Sequence, residues 1–324
     1  MIENNNIASI LDGLQETKGL DVEFEPVGFP VAVPMQMCID SDSYLITEKN
    51  GQGRWFLKIL SIDGIRDIDI EGAIGASERA GQIGVGARVA GASAAQGAIL
   101  FEYLSNYRAA FIDDFDNSEV TRKTVELMRV WHRDGVPAQH EGPLEIARRF
   151  QDVMQSGSVN GHAIHPSDDF PIISDSVGRI FEALLQRPPP SVPLRGENAV
   201  SNVMIDKNKS VRLVDFDRSI YGDPAYDLGA LSSEICTTEE EVDQLCSLYG
   251  ANVSPTRVKL YKIIDDFIWG CWGKISHFAS PRRDSIEFYK FGENRLVQCA
   301  HYLKAWGSDR LIGQLDTSKN LAFW

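Results

Sequence analysis

The sequence predicts an α+β chain of two lobes: a small antiparallel β-sheet lobe over residues 1–104, then a larger, mainly helical lobe over residues 105–324. Three observations predict it. β-rich runs joined by hairpin turn chemistry dominate the early part of the chain. A change to helical patterning follows Leu104. A short alternating stretch is then inserted among the later helices.

The elements follow in order. Ser43–Thr47 and Arg54–Leu60 are runs of β-formers, and Glu48–Gly53 joins them with turn residues. Residues 71–82 are rich in Ala and Glu and read as a helix; 85–90 and 97–103 read as two further strands. Residues 118–133, 143–155 and 171–186 read as helices. His140-Glu141-Gly142-Pro143 is a start signal, and Pro188-Pro189-Pro190 ends the last of the three. Residues 192–217 predict two strands about the turn Asp206–Lys209, and from 238 onward the pattern is helical again.

Composition narrows the function. With 43% hydrophobic residues the chain can bury a core, and a net charge of −14 argues against nucleic acid as partner. An acidic field suits a cationic small molecule as well as plain solubility. The five cysteines are odd in number and lack metal-ligand spacing, which predicts reduced thiols. No apolar run reaches the roughly 18–20 residues that span a bilayer, and Met1–Asn6 lacks the features of a signal peptide. The expectation is a cytoplasmic protein without membrane partners. The apolar ending Leu321–Trp324 is expected to dock on the large lobe or to serve a homodimer contact.

The densest chemical signal is Leu194–Ile205 followed by Val211–Asp217. Glu197, then Asn202 five residues later, then Asp215 thirteen beyond, supplies what phosphoryl transfer from Mg-ATP requires. One carboxylate orients the acceptor hydroxyl and takes its proton, while Asn202 and Asp215 offer oxygen ligands to Mg²⁺. The other reading of these residues alone is a hairpin with incidental polar groups.

Gly222-Asp223-Pro224-Ala225-Tyr226-Asp227-Leu228 follows at once. Together these residues resemble the aminoglycoside phosphotransferase/choline kinase superfamily, whose motif reads His-x-Asp, Asn, Asp-Phe/Trp-Glu/Asp, then Gly-Asp-Pro-x-x-Asp-Leu. The resemblance implies a protein-kinase-like fold using ATP and Mg²⁺, with Asp227 as a structural anchor. This chain departs where the family's His and Asp become Arg195 and Glu197. Arginine has only donors and a permanent charge. It is expected to pair with a carboxylate or reach toward phosphate, depressing the acidity constant of any acid it touches.

The resemblance also implies that Lys58, inside an apolar strand, binds phosphate oxygen with Glu71 as its helix partner, Glu78 being the fallback. Phe101-Glu102-Tyr103-Leu104 resembles the hinge whose backbone, at Glu102 and Leu104, binds adenine. The glycine loop is reduced to Gly28, with prolines at 30 and 34. Trp269 and Trp272, three apart on a predicted helix, share one face. With Ser285-Ile286-Glu287-Phe288, Phe291 and Arg295 they resemble the choline/ethanolamine kinases, whose aromatics wall the ammonium pocket by cation–π attraction. Asp265 and Asp266 are expected to add complementary charge. The expectation is a kinase for a small cationic amino alcohol. A kinase for an aminoglycoside-like hydroxyl, and an impaired nucleotide-binding pseudokinase, are the alternatives.

Overall fold

The computed structural model describes residues 4–32, 38–51, 53–164, 167, 169–186, 188–250 and 253–315. The chain begins with α1 (Asn4–Gly13), β1 (Val22–Pro26), β2 (Ser41–Glu48) and β3 (Arg54–Leu60). α2 (Ile62–Asp67), α3 (Ile70–Gln82), β4 (Val89–Ser93) and β5 (Ala98–Glu102) follow. The five strands form one sheet in the order β1-β2-β3-β5-β4, every neighbour antiparallel.

Strand alternation divides this sheet between two helices. Leu57 and Ile59 of β3, with Tyr44, Ile46 and Leu100, pack against Ile7, Ile10 and Leu11 of α1 and Leu14 just after it. The other face meets α3, whose buried side chains are the small Ala73, Ala76, Ser77 and Ala80, with Leu60, Ile68 and Ile99 closing that cluster. Lys58 lies on the α3 face, opposite Ile99 in register. Asp69 caps α3 by accepting the N–H groups of Glu71 and Gly72.

The rest of the chain adds β6 (Tyr107–Ala109), α4 (Ser118–Asp134), α5 (Pro143–Ser156), β7 (Ser158–Val159), β8 (His162–Ala163) and α6 (Phe170–Leu185). Then come β9 (Val192–Leu194), β10 (Val203–Asp206), β11 (Val211–Leu213) and β12 (Ile220–Gly222). It ends with α7 (Ala225–Ile235), α8 (Glu239–Tyr249), α9 (Pro255–Ala279), α10 (Phe288–Tyr302) and α11 (Ser308–Gln314). β10 pairs with both β11 and β6, and β9 pairs with β12. α9 is buried almost all round and forms the centre of the helical part. Its start is set by Ser254, which caps the N–H of Arg257, and by Pro255 at the first position. α10 packs on it closely because glycines face each other: a Cβ on Gly273 would lie 2.7 Å from the Gly292 backbone.

Three expectations are corrected. The strand expected at 85–90 begins only at Val89, because the N–H groups of Val85 and Gly86 both bond the carbonyl of Ala80 and finish α3. α1 was not expected, and α2 inserts a turn of helix capped by Ser61 before α3. The stretch from 192 carries β9 besides the expected β10–β11 hairpin. Leu321–Trp324 lies outside the described residues. No helix among the described residues is long and apolar enough to cross a membrane.

Candidate active site

The loop after β9 is held from beneath by Asp227, at the start of α7. Its fully buried carboxylate accepts the N–H groups of Arg195 (2.7 Å) and Gly196 (3.1 Å) and the side-chain amide of Asn198 (2.8 Å). His132 meets the same carboxylate through Nε2 at 2.9 Å, and its Nδ1 meets the Tyr249 hydroxyl at 2.8 Å. Burial opposes the charge on Asp227, but His132 and the loop N–H groups outweigh it and hold the carboxyl below its usual range. The geometry is that of an anchor. Gly196 sits at φ +83°, and a Cβ there would meet the Arg218 carbonyl at 2.0 Å. Only glycine lets this loop lie against Arg218.

A single 3-10 turn, Val200–Asn202, leads into β10. The Val214 N–H donates to the Asn202 carbonyl at 3.0 Å, which places Asn202 beside the residue preceding Asp215. Asp215 adopts φ +66°, a strained left-handed conformation for a residue with a side chain. That turn aims its carboxylate back toward β3, where Lys58 Nζ donates at 2.8 Å; Asp217 holds the same ammonium at 2.6 Å. Burial opposes the lysine's charge, but the two carboxylates raise its pKa above the ordinary value. Burial likewise opposes ionisation of Asp215, yet Lys58 outweighs it and lowers the pKa. Asp217 goes the other way, pushed up by burial and by the charge of Asp215.

Lys58 therefore meets carboxylates of the β11–β12 loop instead of a helix glutamate. The expectation for Glu71 is overturned, and so is that for Glu78: both are exposed. α3 turns its small residues to the sheet and its carboxylates to solvent. Asp217, missed as a site residue, was visible as the second acid of Asp215-Phe216-Asp217.

Glu197 is buried among charges. Its nearest cation is Arg218, whose Nε lies 3.4 Å from the carboxylate, while Arg218 also donates to Asp40 at 2.6 Å. Burial, then the charge of Asp215, pushes the Glu197 carboxyl up to about 8 in spite of Arg218. Arg195 is only 1% exposed, and its Nε and Nη2 have no hydrogen-bond partner among the described residues. Burial lowers its pKa against the opposing charges of Asp227, Asp215 and Glu197. It was expected to pair with a carboxylate, depressing it, or to reach toward phosphate. The guanidinium that pairs with Glu197 is that of Arg218, which nothing in the local sequence marked, and Glu197 is raised in spite of it.

A cavity of about 290 Å³ opens at Gly196 and Arg218, lined also by Arg66, Asp67, Gln139, Glu141, Arg149, Tyr226, Trp269 and Trp272 among others; Glu197 is not in its lining. Trp269 and Trp272 reach it together, their centroids 5.4 Å apart in an edge-to-face arrangement. Phe291 packs behind them, 6.0 Å from Trp272, and does not line the cavity. Ala32 and Ile39 from the β1–β2 connection close over this aromatic cluster. Arg218 lies over the Trp269 ring, 5.6 Å from its centroid, and the Trp272 indole N–H donates to Asp67 at 3.3 Å. Asp265 and Asp266 do not face the cavity: both are buried against Arg295, with Tyr226 donating to Asp265. The carboxylates in the lining are those of Asp67 and Glu141.

At the other end of the cleft β5 finishes at Glu102, whose exposed carboxylate accepts the Arg88 N–H at 3.1 Å. The Leu104 carbonyl accepts the Tyr107 N–H at 2.9 Å, turning the chain into β6. Of the reduced glycine loop, Gly28 has φ +82°, and residues 33–37, with the second proline, lie outside the described residues.

The donors at the cleft are hard oxygens, those of Asn202, Asp215 and Asp217, and two of the three already enclose a cation, the Lys58 ammonium. Such a set fits magnesium, which keeps few protein ligands and takes the rest from water and phosphate.

The fold has many solved counterparts. A choline/ethanolamine kinase family protein from Mesorhizobium loti superposes with a TM-score of 0.75 at 17% identity, covering 95% of this chain and 97% of its own. Choline kinase LicA from Streptococcus pneumoniae gives 0.74 at 17% identity, covering 92% and 98%. A spectinomycin phosphotransferase in complex with ADP and spectinomycin gives 0.59 at 13% identity, covering 93% and 98%. No curated protein matches the chain by sequence. The profile of the phosphotransferase enzyme family matches residues 39–261, which is most of the chain and includes Lys58, Glu197, Asn202 and Asp215. With a kinase-like α+β fold and that match, the chain belongs to the phosphotransferase enzyme family and is a phosphotransferase.

Proposed function

We propose that the protein transfers the γ-phosphoryl group of Mg-ATP to a hydroxyl of a small amine-bearing alcohol. The observation that carries this reading is the convergence of Asp215 and Asp217 on Lys58, with Glu197 held by Arg218, which also lines a small cavity. Support for the nucleotide comes from relatives of the same fold solved with AMP and with ADP. Lys58 would leave the carboxylates for phosphate oxygen, and the backbone at Glu102 and Leu104 would receive the base. Asn202 and Asp215 would hold magnesium, which when bound neutralises charge on the phosphates.

Glu197 is the proton acceptor for the hydroxyl in this reading. A carboxyl raised to about 8 is a stronger base once ionised than an ordinary glutamate, and Arg218 fixes its direction. At about 290 Å³ the cavity lies at the small end of ligand pockets, which favours a small alcohol over an aminoglycoside-sized acceptor. Asp67 and Glu141 supply the charge that an amine would meet. The test is ADP release from Mg-ATP with amino alcohols. Asp215→Ala should abolish turnover and weaken Mg-ATP binding; undiminished turnover in that variant would refute the proposal.

A further inference from the structure

The charges around the acceptor cavity are not those of a site for a plain cation. Among the described residues its lining brings three guanidinium groups, Arg66, Arg149 and Arg218, against two carboxylates, Asp67 and Glu141. The ring face of Trp269, where a quaternary ammonium would stack, is already covered by Arg218. That guanidinium is largely buried and tied to Asp40 and Glu197. A cationic headgroup at that ring would have to displace a buried cation from two acids and then lie beside it. Trp272 is edge-on to both Phe288 and Phe291, and its N–H is taken by Asp67. The aromatic cluster thus serves as a wall and leaves no open cage.

The three arginines are not equally free. Arg66 is held by both oxygens of Asp67, at 2.8 and 2.7 Å, and lies 3.6 Å from Asp63. Arg218 is held as above. Arg149, projecting from α5, has one acidic partner among the described residues, Glu141, reached from Nε at 3.0 Å and from Nη2 at 2.9 Å. Both side chains of that pair are about half exposed, 51% and 48%. Such a pair contributes little to stability and opens at small cost. Opened, it presents a planar fork for an oxyanion on one side and a carboxylate for an ammonium on the other.

Building on the phosphotransfer reading above, we propose that the acceptor is a zwitterion: a hydroxy amino acid whose carboxylate is received by Arg149 and whose ammonium is received by Glu141. Inserting between the two partners of an ion pair, such a molecule leaves no charge in the cavity without its opposite. An amine without the acid leaves Arg149 to compete for Glu141. An anion without the amine leaves Glu141 unmatched.

The experiment measures ADP release from Mg-ATP with L-serine, L-threonine and L-homoserine, with choline and ethanolamine, and with glycerol 3-phosphate. Binding of each to the ADP-loaded protein is followed by calorimetry. The expected result is a kcat/KM for one of the amino acids at least about 100-fold above that for either amino alcohol. Arg149→Ala should raise KM for that amino acid at least about 10-fold with kcat little changed, while KM for ethanolamine stays level or falls, because Glu141 is freed. Preference for choline or ethanolamine, or an equal loss on both classes in Arg149→Ala, overturns the inference while phosphotransfer stands. Preference for glycerol 3-phosphate overturns it in favour of a phosphate-bearing alcohol. Turnover of none of them counts against phosphotransfer to a small alcohol. In that event calorimetry decides the zwitterion alone: amino-acid binding lost in Arg149→Ala supports it, and no binding overturns it.

Discussion

Replacing Glu197 with glutamine separates the cost of this residue from its use. The carboxyl moves from an ordinary 4.5 when unfolded to about 8 when folded. Between those values the folded protein holds a proton that the unfolded chain has released. Stability therefore falls as pH rises through this window; below it both states are protonated, and above it both are ionised. At about 1.4 kcal/mol per pH unit the full shift sets a ceiling of roughly 5 kcal/mol. Relaxation and water at the cleft reduce this to about 2 kcal/mol. Urea unfolding of parent and Glu197→Gln should give nearly equal stabilities at about pH 4.5, with the variant ahead by about 2 kcal/mol at about pH 8.5. Catalysis should show the opposite preference. With a base near 8, the ionised fraction, and so kcat/KM, rises about tenfold from pH 7 to 9. Glu197→Gln should lose at least about 100-fold in turnover and flatten that limb, with nucleotide affinity little changed. Parallel stabilities across the pH range would refute the buried-charge argument, and an unchanged rate in Glu197→Gln would remove Glu197 as base.

Two further variants probe the charges around it. Lys58→Met leaves Asp215 and Asp217 facing each other without a cation and should cost about 3 kcal/mol of stability. Magnesium should restore more of that stability than it adds to the parent, which thermal melts with and without the ion would show; an unaltered melting temperature would mean the pair is not formed in solution. Arg195→His exchanges an unsatisfied buried cation for a neutral ring and should stabilise by about 1 kcal/mol. If Arg195 and Glu197 are fitted to each other, Arg195→His with Glu197→Asp should be more active than the product of the two single losses, and strict additivity would exclude that coupling.

What the sequence made legible was local. The nearness of Asn202 to the turn at Asp215 could be read because a hairpin of fixed length joins them, and the anchoring place of Asp227 because it opens the next helix in a run of recognisable spacing. The α1 pattern of Ile7, Ile10 and Leu11 was equally present, but an Asn-rich start concealed it. The partner of Lys58 could not be read. Glu71 and Asp217 are both carboxylates at plausible positions, and the choice between them turns on which way α3 faces and on the left-handed turn at Asp215. Trp269 and Trp272 were rightly placed on one face. What covers that face depends on Arg218, whose reach to Asp40 spans 178 residues and leaves no local trace.

Several of the missed contacts join the sheet lobe to the helical lobe. Lys58 meets Asp215 and Asp217, Arg218 meets Asp40, Arg282 meets Asp63, and Trp272 meets Asp67. The first three are ion pairs in which one partner or both is largely buried, and an ion left behind when such a pair is broken is costly. Separating the lobes would therefore strand charge at the candidate site and take from Arg218 the second carboxylate, Asp40, that holds it beside Glu197. Lobe approach and assembly of the site are in that sense one event. A nucleotide that draws Lys58 away from its carboxylates must supply, with its metal, the charge that those acids lose.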